Sequence, residues 1–289
     1  MMKYCDLHTH SYFSDGTDSP TEIIRKAESI GLSAVALTDH NTTAGLDEFV
    51  EAARGTSVKA IRGVELSTDY GDTELHIIAL YLRREHYETI NELVREMHVR
   101  KDEANRILVD ALVNAGFNIS YDEIAGDARG HFNRAHVAAA LHKAGYAESI
   151  PEAFDKYLRP EAGYYPSFRR IDALDTIALI RSLGAVPVIA HPYLSLKNKD
   201  RISHFLTEAV PRGLSAMETM YPAYTEQETA EAKALAHRFI IHESGGSDYH
   251  AGKRPHVALG MLNIPDTIEK TLSTLTSEHL QAVQTKKEI

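Results

Sequence analysis

Two hydrophobic rhythms run along this chain, and the switch between them divides it. From residue 4 to residue 82, short apolar runs alternate with amphipathic ones. Residues 4–10 read as a strand. Ser19-Pro20 opens a helix through residue 27, which Gly31 ends. Residues 34–38 (AVALT) form a buried strand leading into Asp39-His40, and a helix capped near Thr43 runs to about residue 53. Two further apolar strands fall at 58–66 and 75–82.

The second rhythm begins at residue 83. From there to about residue 168 the pattern is helical, with a long amphipathic stretch over 86–115 whose apolar positions are Val94, Met97, Ile107, Leu108, Leu112 and Val113. The alternation then returns: helix at 173–182, strand at 185–190, helix at 202–210, strand at 216–220, helix at 226–237 and strand at 239–243. Seven strands alternating with helices predict an α/β fold, a closed or nearly closed parallel barrel with a helical insertion between strands 4 and 5. An open doubly wound sheet is the alternative. The predicted domains are a barrel of residues 1–82 and 170–289 and an insertion of 83–169.

Composition narrows the function. Forty-one acidic against thirty-one basic residues give a formal charge of −10. Such a surface repels polyanions, so no long nucleic-acid partner is expected, while a small phosphorylated substrate still fits a pocket that gathers cations locally. Cys5 is the lone cysteine, which excludes an intrachain disulfide and a cysteine zinc cluster. With no targeting stretch and no run of about 18 apolar residues, a cytoplasmic protein without a membrane partner is expected. Sixteen histidines are the unusual feature. The oligomeric state is not legible.

Six clusters of metal-binding residue types fall at strand ends or on strands. His8-Thr9-His10 ends the first strand, with Asp15 in the following loop. Asp39-His40 ends the second, Glu65 the third, His76 lies on the fourth, His191 ends the fifth, and Asp248 and His250 follow the seventh. Strand C-termini of a parallel barrel open on one face, so residues distant in sequence would converge there. Strand alternation turns His8 and His10 to the same side. Imidazole and carboxylate without thiolate suit zinc, manganese or iron, and a carboxylate such as Glu65 can bridge two ions. A lone histidine at a strand end is usually a packing residue; nine candidates at matching places are not explained that way. Most other histidines read as exposed or structural.

The run DLHTHSYFSDGTDSPTEIIRKAESIGLSAVALTDHNT resembles the amino-terminal signature of the polymerase and histidinol phosphatase (PHP) superfamily. GVELS, LHIIALYL, the AHP at 190–192 and SDYH are similar to its later motifs in order and spacing. The helical block resembles that of the subgroup acting on nucleoside 3′,5′-bisphosphates and related small phosphoesters, through NRAHVAAAL, FDKYL and the turn at Gly163. The resemblance implies a distorted seven-stranded barrel holding two or three divalent ions (Mn, Fe or Zn). By matching motifs, His8, His10, Glu65 and Asp248 would bind one ion, Glu65, His76 and His191 a second, and Asp15, His40 and His250 a third. Asp39 would orient a ligand histidine.

The implied reaction is hydrolysis of a phosphate ester by a metal-bridging hydroxide, with Glu65, Asp248 and His191 as catalytic residues. Arg134, His136 and Arg169 are candidate phosphate binders, because a bidentate arginine suits a terminal phosphate. The chain departs from the subgroup at Tyr193-Leu194 after AHP and at Tyr221 and Tyr224 in MYPAYT. Tyr193 and Tyr221 would line the substrate pocket. They keep a second activity open, opening of a ribose cyclic phosphate followed by monoester hydrolysis. A noncatalytic module would have lost ligands, and none of the nine is lost. A metal-dependent amidohydrolase would want a lysine where Glu65 stands.

Overall fold

In parallel α/β proteins strands buried on both faces are uniformly apolar, and the central strands here follow that rule. The computed structural model describes residues 3–127, 132, 134–166 and 170–287. Its strands are β1 (Tyr4–Asp6), β2 (Ala34–Leu37), β3 (Lys59–Tyr70), β4 (Thr73–Leu80), β5 (Ile171–Asp172), β6 (Val186–Ile189), β7 (Ala216–Met220), β8 (His242–Gly245) and β9 (Ile264–Pro265). All residues of β2 and β6 are buried. The helices are α1 (Pro20–Ser29), α2 (Leu46–Ala52), α3 (Tyr87–Asn114), α4 (Tyr121–Asp127), α5 (Arg134–Lys143), α6 (Ile150–Ala153), α7 (Ala173–Ser182), α8 (Pro192–Leu196), α9 (Lys199–Ala209), α10 (Glu226–Arg238) and α11 (Asp266–Lys287).

The strands join in the order β8-β7-β6-β4-β3-β2-β1-β9. The row closes between β8 and the continuation of β1: Leu7 N–H donates to Gly245 O at 3.3 Å, and Thr9 bridges Tyr249 in parallel. The result is a nearly closed barrel of seven strands, distorted as the resemblance implied. Gly246 is required at this seam, since a Cβ there would stand 2.2 Å from that of His8.

One strand runs against the expected direction. β3 and β4 pair antiparallel from Gly63↔Leu80 to Tyr70↔Thr73, and β4 is antiparallel to β6 as well. The pair is joined by Gly71-Asp72, with Gly71 at φ 58°, a two-residue hairpin turn. The fourth strand therefore breaks the all-parallel pattern. His76 is a mid-strand residue level with Ser67, and the chain leaves β4 beside Arg62, opposite the end where Glu65 and His40 lie.

The chain divides into two compact units, Met1–Glu92 with Ile171–Ile289, and Leu93–Arg170. The core of the first gathers Leu7, Ala36, Ile61, Ile78, Val188 and Ala216, with Leu272 and Leu275 contributed by α11. The core of the second includes Leu108, Val109, Leu112, Phe132, Val137 and Leu141. On α3, Val94, Met97, Leu108 and Leu112 are buried as expected, but Ile107 and Val113 are exposed. Val109 replaces them, because it continues the stripe through 94, 97, 104, 105, 108 and 112 at helical spacing. The last strand starts three positions later than expected, since Phe239 and Ile240 turn out of α10 with Ile240 at φ 56°.

Candidate metal centre

The site is assembled around Glu65, which is fully buried at the end of the barrel. Its Oε1 lies 2.9 Å from His76 Nδ1 and 3.0 Å from His191 Nε2. Its Oε2 lies 3.2 Å from His8 Nε2, 3.3 Å from His10 Nε2 and 3.1 Å from His40 Nδ1. One carboxylate thus faces five imidazoles. On the far side of His8 and His10, Asp248 Oδ1 stands 3.5 and 3.1 Å from their Nε2 atoms. Asp15 Oδ1 is 3.0 Å from His250 Nε2 and 3.9 Å from His40 Nε2, at the exposed edge of the cluster.

Four overlapping groups of donor atoms result: His8, His10 and Asp248; His8, Glu65 and His191; His40, Glu65 and His76; and His10, Asp15, His40 and His250. All nine ligands anticipated from the sequence converge. The grouping differs in sharing His8, His10 and His40 between neighbours.

The donor set fits cations. His8 Nε2 and His10 Nε2 face each other at 3.0 Å, a contact that needs a proton or an ion between two lone pairs. Among the described residues, eight buried side-chain polar atoms lack a hydrogen-bond partner, and five of them belong to His10, His40, Glu65, His191 and His250. Buried polar atoms are normally satisfied, so this concentration marks a place where divalent ions complete the network.

Without ions, the electrostatics point the same way. Burial alone would lower the His8 pKa, but Glu65, Glu218 and Asp248 outweigh it and hold it well above the ordinary value. Burial likewise opposes His10 and His76, yet bonds to Asp248 and Glu65 raise the first to about 9, and Glu65 raises the second to about 10. Burial takes His40 down to about 3. Glu65 is held well below the usual carboxylate range against its own burial, chiefly by His8, His40 and His76.

The backbone is bent to deliver these groups. His191 and Asp248 have φ of 29° and 54°, a region that costs energy for residues other than glycine and is concentrated at functional sites. Glu218, in the middle of β7, supports both sides of the centre. Its Oε1 accepts from His8 Nδ1 at 2.9 Å and its Oε2 from the His191 backbone N–H at 2.7 Å. Fixing the proton on His8 Nδ1 leaves Nε2 free as a ligand. Sequence reasoning missed Glu218, although an acid inside the apolar run AMETM was a legible signal. It also missed Arg254, which pairs with Asp248 Oδ2.

The other candidates are placed as follows. The Tyr221 hydroxyl donates to Asp248 Oδ2 at 2.7 Å, and its ring meets His191 edge-on. Tyr193 is turned toward α10, where its hydroxyl donates to Glu231 at 3.0 Å. Arg134 and His136 lie in the second unit. The Arg134 guanidinium stacks over Phe154 and Tyr165 and donates to Leu158 O, and His136 stacks on Phe132. Arg169 is outside the described residues. Among the described residues Asp39 holds no histidine, contrary to expectation. It accepts from Ser11 N and Oγ and from Ser14 Oγ, and so fixes the loop that carries Asp15.

Six imidazoles and two further carboxylates gathered about Glu65 are a donor set suited to divalent metal ions. The model of the PHP domain matches residues 6–165. The chain is similar to a 5′-3′ exoribonuclease of Haemophilus influenzae, with 31% identity over 86% of this chain and 91% of that one. It is 29% identical to a phosphoribosyl 1,2-cyclic phosphate 1,2-diphosphodiesterase of Eggerthella lenta, over 87% and 97% of the two chains. A 3′,5′-nucleoside bisphosphate phosphatase of Chromobacterium violaceum is 28% identical over 86% and 88%. Among solved structures, a Bifidobacterium adolescentis chain assigned as a metal-dependent phosphoesterase superposes with a TM-score of 0.76 at 25% identity, covering 94% of this chain and 96% of its own. The chain belongs to the PHP domain family. It is a metal-dependent hydrolase of phosphoric ester bonds. No helix among the described residues is long and apolar enough to cross a membrane.

Proposed function

We propose that this protein removes a phosphate from a small phosphorylated ribose metabolite, foremost a nucleoside 3′,5′-bisphosphate, using two or three ions of Mn, Fe or Zn. The observation that carries this reading is the clustering of four overlapping donor groups, two of which share Glu65. Bound divalent ions supply Lewis acidity to the phosphoryl group and activate water for attack. The chain's own groups do the rest. Glu65 spans two of the donor groups with its two oxygens, and Asp248 closes a third with His8 and His10. His191 Nε2 is within reach of Glu65 and its ring packs edge-on against Tyr221, which would fix it as a ligand beside the substrate. The similarity to the bisphosphate phosphatase supports the substrate choice.

The test is a panel of substrates on one manganese-loaded preparation: adenosine 3′,5′-bisphosphate, ribose 1,2-cyclic phosphate 5-phosphate and a 5′-phosphorylated oligoribonucleotide. The relatives named for the last two activities are the reason for including them. The bisphosphate should give the highest kcat/KM. Preference for the cyclic ester would replace the proposal with a phosphodiesterase. Preference for the oligonucleotide would overturn both it and the expectation drawn from net charge.

A further inference from the structure

Asp248 presents two different oxygens. Oδ1 faces the Nε2 atoms of His8 and His10, the side where an ion binds. Oδ2 is taken by the Tyr221 hydroxyl at 2.7 Å and by Arg254. Among the described residues, Arg254 is the one arginine or lysine that forms an ion pair with any of the nine candidate ligands. Its side chain is 40% exposed, whereas that of Asp248 is buried.

This placement is costly for metal binding alone. A guanidinium on a ligand carboxylate weakens the pull of that carboxylate on a cation, and holding Oδ2 in place is already served by Tyr221. A partly exposed arginine one carboxylate away from a cation site is instead suited to an anion that bridges to the ion, because the planar fork can hold a carboxylate with one edge and a phosphoryl oxygen with another. The loop is built to keep it there. Gly252 N–H donates to Thr17 Oγ1 at 2.9 Å, and Arg254 N–H closes a turn on Ala251 O at 3.0 Å. Thr17 belongs to the loop of Asp15, so both rims of the open edge are tied together.

We infer that Arg254 is an anion subsite of the centre, taking a phosphoryl oxygen of the bound ester while Asp248 holds its other edge. The inference rests on the phosphoesterase reading. Its test uses inorganic phosphate and needs no turnover, so an inactive substrate panel and a failed subsite remain distinguishable.

Phosphate is titrated calorimetrically into protein held at saturating manganese, comparing the parent with Arg254→Gln, Arg254→Lys and Tyr221→Phe. Manganese affinity of each metal-free protein is measured separately. Arg254→Gln should weaken phosphate binding by at least about tenfold, the size of one lost charge-assisted hydrogen bond, and Arg254→Lys by less. Tyr221→Phe should change manganese affinity and weaken phosphate binding clearly less than Arg254→Gln does. If Arg254→Gln and Tyr221→Phe behave alike, losing manganese but not phosphate, Arg254 only positions Asp248 and the inference is wrong. Phosphate affinity of Arg254→Gln within about twofold of the parent overturns it equally.

Discussion

Replacing Glu218 by glutamine changes one oxygen for an NH2 group and leaves the volume almost unaltered, yet neither orientation of the amide can satisfy the site. Glu218 receives two N–H groups, from His8 Nδ1 at 2.9 Å and from the His191 backbone at 2.7 Å. If the amide carbonyl serves His8, the NH2 group meets the His191 N–H, and a buried donor is left unpaired at about 1–3 kcal/mol. If the carbonyl serves His191, the NH2 group meets Nδ1 of His8, whose ring must then carry its proton on Nε2. That proton points at the ion position shared with His10 and Asp248. Loss of such a supporting carboxylate typically costs about tenfold to hundredfold in metal affinity, or roughly 1.4–2.8 kcal/mol. Manganese titration into metal-free Glu218→Gln should show a loss of that size in at least one binding step. The metal-free protein should unfold within a few degrees of the parent if the carbonyl turns to His191, and lower if it does not. Binding within about twofold of the parent at every step, together with an unchanged unfolding temperature, would refute the argument that Glu218 holds both groups.

Three further outcomes are expected. Glu65→Gln should lower turnover by at least about two orders of magnitude, as loss of a central electrostatic group does, and near-normal activity would remove Glu65 from the centre. Undenatured protein should carry at least two equivalents of Mn, Fe or Zn, and less than one after reconstitution would sink the polynuclear reading. Metal uptake at neutral pH should release protons: His10, at about 9, and His76, at about 10, are protonated in the metal-free protein at pH 7 and must become neutral to ligate. Affinity should therefore rise with pH up to about those values and fall as pH drops. Identical binding enthalpies in buffers of different ionisation heat would show that no proton leaves.

The ligands were legible because their chemistry is written at strand ends: His8, His10 and His191 each follow an apolar run that had to be a strand. The direction of β4 was not read, although Gly71-Asp72 between two apolar runs is a hairpin signal, because the surrounding rhythm favoured a parallel crossover. Strands of two residues such as β5 and β9 carry no periodicity of their own. Arg254 had no sequence signal, since a basic residue in a loop only acquires meaning from the carboxylate that the fold brings to it. Arg134 likewise shows what only the fold reveals. Named as a candidate phosphate binder from its type alone, it lies in the structure with its guanidinium over two aromatic rings of its own unit, contacts that no spacing announced.

The reversal of β4 also decides how this gene could be cut. The chain departs from the barrel at Leu82, whose N–H reaches Arg62 O, and rejoins it at Ile171, level with Thr68. Those two doors open six positions apart along β3, roughly 20 Å at the rise of an extended strand. A minimal barrel made by splicing residue 82 directly to residue 171 would tear the strand at one door or the other. A shortened protein therefore needs a bridge of at least about six extended residues, and any ancestor that lacked the helical segment had to span the same height by other means.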